Sequence, residues 1–127
     1  MNRQLLDLYR EENHSWKSTL ELQRSQIPGM SRMLSEIVKD NPGEQYLNNA
    51  RHLQRKLEEQ EADILRLTAR IDALQCKLDQ ECEKKEEQYR SLETLYMQEE
   101  LRDLVLKFEK MFIDFKQSFH HYLLTMI

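Results

Sequence analysis

The chain has 127 residues, of which only 2 are glycine and 2 are proline, while 33% are Asp, Glu, Lys or Arg. Sheets and catalytic loops need residues that tolerate positive φ, and average proteins carry about 7% Gly and 5% Pro, so this composition disfavours an ordinary enzyme and points to an all-α chain. With 19 basic against 23 acidic side chains, a net charge of -4 and no long block of one sign, a phosphate-binding surface is not indicated and no nucleic-acid partner is expected.

The first predicted element covers residues 2–26, where Leu5, Leu8, Tyr9, Glu12, Trp16 and Leu20 recur at helical spacing. Trp16 reads as a packing anchor of that helix. Pro28-Gly29 follows, and because proline is tolerated in a first helical turn, a short second helix is predicted through Met30, Met33, Leu34, Ile37 and Val38. Asp40-Asn41-Pro42-Gly43 then ends it near Lys39, since the residue before proline is pushed out of the α region and glycine accepts a turn. Residues 2–41 thus form an N-terminal helical segment with two Pro-Gly joints.

Residues 44–127 contain no glycine and no proline. A single helix of that length would extend about 125 Å, so the expectation is an elongated rod that buries its apolar stripe against other helical chains. Within residues 44–98 a heptad seam runs through Ala50, Leu53, Leu57, Gln60, Ile64, Leu67, Ile71, Leu74 and Leu78, then Glu81, Lys85 and Gln88, and on to Leu92 and Leu95. Isoleucine at a with leucine at d favours a parallel two-stranded coil. In a homodimer Lys85 and Glu81 would each face their own copy, and Arg70, Lys77 and Lys84 lack acidic mates, so another coiled-coil protein is the favoured partner over a second copy. Antiparallel pairing would also relieve Lys85 and stays open.

Residues 99–127 carry a second stripe, Leu101, Val105, Phe108, Phe112, Phe115, Phe119, Tyr122 and Met126, widened by Leu104 and Met111. Its frame is displaced by one residue from the first seam, which predicts a bend, a change of partner or a third helix near Glu99. The expected partner-binding residues are therefore Leu53, Leu57, Ile64, Leu67, Ile71, Leu74, Leu78, Lys85, Leu92, Leu95, Leu101, Val105, Phe108, Phe112, Phe115 and Phe119.

Residues with chemical potential are scattered. His14, His52, His120 and His121 lack further ligands at helical spacing, Cys76 and Cys82 lack a second ligand pair, and no serine has an activating base, so no catalytic, cofactor or metal site and no small-molecule substrate are expected. No apolar run approaches the ~20 residues of a membrane span, and Met1 to Glu12 is charged where a signal peptide is apolar, so the expected location is cytoplasmic, with no integral membrane segment.

Glu11-Glu12 followed by Trp16, then Ile27-Pro28-Gly29-Met30 with Leu34, Glu44-Gln45-Tyr46, Ala50-Arg51 and Gln88-Tyr89-Arg90-Ser91-Leu92 together resemble the small coiled-coil subunits of the intraflagellar transport B complex, over residues 10–95. The resemblance implies a non-catalytic structural or adaptor subunit that heterodimerises with a larger transport protein, associated with the cilium, the centrosome or the Golgi. Pro28 and Pro42 depart from that family's pattern. The alternative is a self-assembling scaffold component, centrosomal, axonemal or of a chromosome axis, that forms homo-oligomers.

Overall fold

The computed structural model describes residues 3–83 and 88–126, with side-chain surroundings described for 3–80 and 92–126. The described residues form three α-helices and no strand: α1, Arg3–Asp40, α2, Glu44–Glu83, and α3, Gln88–Met126. Arg10 meets Asp79, Lys17 meets Asp72 and Ser31 meets Gln54, so α1 and α2 run antiparallel. Lys77 meets Glu93 and Arg70 meets Glu100, which makes α2 and α3 antiparallel as well. Glu12 with Arg102 and Gln26 with Lys116 then align α1 and α3 in parallel. The architecture is an up-down-up three-helix bundle.

Two expectations are corrected. The first is the pair of short N-terminal helices, because α1 is one helix of 38 residues with Pro28 inside it. Proline removes a backbone donor and costs about 3 kcal/mol in a helix interior. Against that, Ile27, Met30 and Leu34 are buried on the same helix, each contributing ~1.5–3 kcal/mol, and their sum exceeds the cost. Pro28 itself lies on the exposed side, where water reaches the carbonyl it leaves unpaired.

The second correction concerns the rod. Glu44–Glu83 and Gln88–Met126 are two antiparallel helices packed side by side, not one, and no glycine or proline stands in the sequence between them. Continuing the helix would have left Leu101, Val105, Phe108, Phe112 and Phe119 in water; reversal buries all five against α1 and α2. The one-residue frame displacement is the mark of this reversal, since two helices of a bundle need not share a register. Lys85 and the side chains of Glu81, Cys82 and Gln88 lie outside the described residues.

At the other junction the break is local and chemical. Asn41 donates its backbone N–H and its side-chain Nδ2 to the Ile37 carbonyl, each at 3.0 Å, and so closes the last turn of α1. Pro42 cannot continue the helix. Leu47 N–H donates to the Gly43 carbonyl at 3.1 Å, and Glu44 places a negative charge in the first turn of α2, where the helix dipole favours it.

The core follows the heptads. On α1 the buried positions are Leu6, Tyr9, Asn13, Trp16, Leu20, Gln23, Ile27, Met30 and Leu34, alternating in steps of three and four. On α2 they are Ala50, Leu57, Ile64, Leu67, Ile71, Leu74 and Leu78, and on α3 Thr94, Gln98, Leu101, Val105, Phe108, Phe112, Phe119, Leu123 and Met126. Arg70 and Lys77, which lack acidic mates in a homodimeric coil, find Glu100 and Glu93 on α3 of the same chain. These exposed pairs contribute at most about 1 kcal/mol each.

Candidate interaction surface

Apart from Leu92, and from Lys85, which lies outside the described residues, the residues expected to bind a partner pack within the chain. Leu57, Ile64, Leu67, Ile71, Leu74, Leu101, Val105, Phe108, Phe112 and Phe119 belong to one core cluster, with Leu53 and Phe115 half-buried against it. Leu78 joins Leu6 and Tyr9 in a second cluster that Leu95 packs against. Leu92 departs from the expected seam: it is exposed, because α3 follows the displaced frame back through Gln98 and Thr94. Tyr122 is half-buried while its neighbour Leu123 takes the core place. In this bundle the α2 and α3 seams pack against each other and against α1.

Between the two apolar clusters lies a polar layer that joins all three helices. Asn13 on α1 donates through Nδ2 to Gln75 Oε1 on α2 at 3.1 Å, and Gln98 on α3 donates through Nε2 to Asn13 Oδ1 at 2.8 Å. Gln98 Nε2 also reaches Glu12 Oε1 at 2.9 Å, and Arg102 grips the Glu12 carboxylate with two bonds of 2.7 Å. Burial alone would raise the Glu12 pKa, but the Arg102 and Gln98 donors outweigh it and hold this carboxyl below the usual range. The same pair raises the Arg102 guanidinium. Desolvation pushes the nearby Tyr9 phenol up.

The outside of the bundle is uneven. On α1, Arg10, Lys17, Arg24 and Ser31 face α2, whereas Glu12 and Gln26 face α3. Leu8 and Leu22 each stand four residues before Glu12 and Gln26, one turn along the same side of α1. On α3, Arg102 and Lys116 face α1, and Leu106 and Ile113 stand one turn from them. Leu22 is 63% exposed and Leu106 and Ile113 are each 53% exposed, so these side chains form an apolar row along the α1/α3 face. At its lower end, Met33, Glu36 and Ile37 of α1 with His120, Leu123 and Leu124 of α3 enclose an apolar hollow of about 440 Å³.

The α2/α3 side also has a hollow, lined by Leu67, Leu104, Phe108 and Met111, but Asp63, Arg66, Arg70 and Lys107 cover it with charge. On the α1/α3 side Glu109, one turn from Leu106 and Ile113, has its carboxyl pKa raised by burial. The α1/α3 face thus carries an exposed apolar row, while Met111 on the α2/α3 side and Leu65 on α2 are exposed singly. The sequence reading missed it because Leu22, Leu106 and Ile113 stand outside every a and d position; their signal is apolar character beside a stripe already satisfied.

Among the described residues no group of three or more His, Cys, Asp or Glu side chains could hold a metal ion, and no helix is long and apolar enough to cross a membrane. Cys76 is an exposed free thiol. No family model, curated protein or solved structure matches the chain.

Proposed function

We propose that this chain is a non-catalytic helical interaction module, an adaptor or scaffold subunit that docks a second helical surface on its α1/α3 face within a larger assembly. The observation that carries the reading is the exposed row of Leu22, Leu106 and Ile113, left outside after the heptad stripes of all three helices have been consumed in the core. Large apolar side chains aligned over several turns are the usual mark of a protein contact. A setting in ciliary transport rests on the sequence resemblance alone, and the partner's use of the α2 seam in that resemblance gives way here to the outer face.

A photo-crosslinking residue placed at Leu22 or Ile113 in cells that express the chain tests this. Discrete protein adducts from both positions, and none from the outward-facing Ala69 of α2, are the expected result. Equal labelling from Ala69, or no adduct from the α1/α3 face, removes the proposal.

A further inference from the structure

We infer that the bundle closes at one end with a clasp: the turns of α1 before Glu12, α2 beyond Gln75 and α3 before Gln98 open together as one unit while the main core stays folded. The inference is independent of the α1/α3 face and starts from a break in the apolar interior. Leu6, Tyr9 and Leu78 form a cluster of their own, with Leu5 and Leu95 packed against it. The buried members of the main core begin only at Trp16 on α1, Leu74 on α2 and Leu101 on α3. Among the described residues, α3 brings no buried leucine or phenylalanine to this end: its core positions there are Thr94 and Gln98, which keep 2% and 0% exposure.

The polar layer between the two clusters is where an opening can stop. A boundary drawn through the main core would leave leucine and phenylalanine bare on both sides of it. A boundary at Glu12, Asn13, Gln75, Gln98 and Arg102 presents water with amides, a carboxylate and a guanidinium, whose hydrogen bonds water replaces. Gln98 adds a bias toward release. Its Nε2 serves Glu12 and Asn13, but its Oε1 is buried and accepts from no described residue, so the closed end carries an acceptor that hydration satisfies on opening. The ion pairs that cross the end, Arg10 with Asp79 and Lys77 with Glu93, lie at the surface with side chains 39% to 67% exposed, where solvent and salt screen them.

Such an opening differs from the fraying of single helix ends. Leu78 of α2 is fully buried beneath Leu6 and Tyr9 of α1, and Leu95 of α3 packs against the same cluster, so the three helices lose their cover together. Once the clasp is open, Leu78 and Leu95 are reachable while Leu74 and Leu101 stay covered by the main core. The end of the α2/α3 seam is thereby uncovered without global unfolding, as a cooperative unit of low local stability.

Native-state hydrogen exchange of the full chain in low urea, followed by NMR, tests the inference. Amides of residues 7–10, 76–80 and 93–97 should exchange with one shared, weak urea dependence, at least about a hundredfold faster than those of Leu20, Ile64 and Val105. Phe119→Ala should speed the core amides at least about a hundredfold and leave the end amides unchanged; Ile64→Val, a milder change for the case in which the first variant does not fold, should speed the core amides alone by about fivefold. Leu78→Ala should speed the end amides of all three helices by one common factor, at least about tenfold. Asn13→Leu with Gln98→Leu joins the two clusters and should slow the end amides at least about tenfold, toward the core rates. End amides that follow Phe119→Ala or Ile64→Val by the same factor as the core mean that the bundle opens only as a whole. A Leu78→Ala effect confined to α2 means fraying of single helices, and a separate end that persists in the double variant removes the polar layer as its boundary. Any of these three results overturns the clasp.

Discussion

The two ends of the bundle are built on the same heptads yet solve different problems. Around Phe112 and Phe119, α3 packs Leu123 and a tilted pair of rings, Phe108 and Phe112 with centroids 5.9 Å apart, against Ile27, Met30, Leu34 and Leu57. No charge enters that core cluster. Toward the other end, Asn13, Gln75, Gln98, Glu12 and Arg102 occupy a layer that separates the main core from the small cluster of Leu6, Tyr9 and Leu78. The apolar end supplies energy, since each large side chain withdrawn from water contributes ~1.5–3 kcal/mol. The polar layer supplies alignment. A helix slid by one heptad, about 10 Å, would still present leucine to leucine, but it would strand the Gln98 and Asn13 amides and the Glu12 carboxylate.

The largest expected effect comes from the apolar end. Phe119 is fully buried, so Phe119→Ala should lower stability by about 3–5 kcal/mol in urea unfolding followed by circular dichroism. A loss below about 1 kcal/mol would mean that this end contributes no more than the surface does.

Next in size is the Glu12–Arg102 fork, whose side chains keep 27% and 35% exposure. Arg102→Met should cost about 1–2 kcal/mol after allowance for solvent screening. Its pH signature separates it from simple loss of packing. Because the folded state lowers the Glu12 pKa, that contribution is complete above the ordinary carboxylate value and is lost as pH falls through and below it. Glu109 works in the opposite sense: its raised pKa disfavours the ionised form in the fold, so stability gains slightly as pH falls through the upper carboxylate range. Acid titration of the wild type should therefore show a small rise and then a loss, and Arg102→Met should flatten the loss while keeping the rise.

A smaller change, in the stabilising direction, is expected at Gln23. This side chain is buried among apolar neighbours and its Oε1 accepts no hydrogen bond from the described residues, so Gln23→Met should raise stability by about 1 kcal/mol. A comparable loss would place Gln23 with the aligning layer instead. The smallest effect is Gly29→Ala, where the added methyl meets open space and the helix gains about 0.5–1 kcal/mol in thermal unfolding of the monomer.

Much of this was readable from residue patterns, for reasons that differ from place to place. The break at Asn41-Pro42-Gly43 is legible because it is local: proline constrains the preceding residue and glycine accepts the turn. Pro28 misleads because its cost is also local while the compensation, burial of Ile27, Met30 and Leu34, comes from helices distant in sequence. The α2–α3 reversal carries two faint traces, the displaced frame and the run from Asp79 to Gln88 in which Cys82 is the only non-polar residue. Neither is a turn signal in itself. The apolar exterior row was the least legible part of the candidate site, since Leu22 or Ile113 in a lone helix is indistinguishable from a widened core stripe.

The amino-acid sequence by itself determined that the chain is helical, which positions of α1, α2 and α3 are apolar, and where α1 gives way to α2, because helix propensity, heptad periodicity and Pro-Gly chemistry act within a few residues. Only the tertiary structure decided that those stripes meet one another instead of a second chain. That choice depends on whether reversing between Glu83 and Gln88 recovers more buried surface than a straight helix, and the buried phenylalanines of α3 settle it. Once they are folded inward, the side chains that remain outside along α1 and α3 become the surface available for contact.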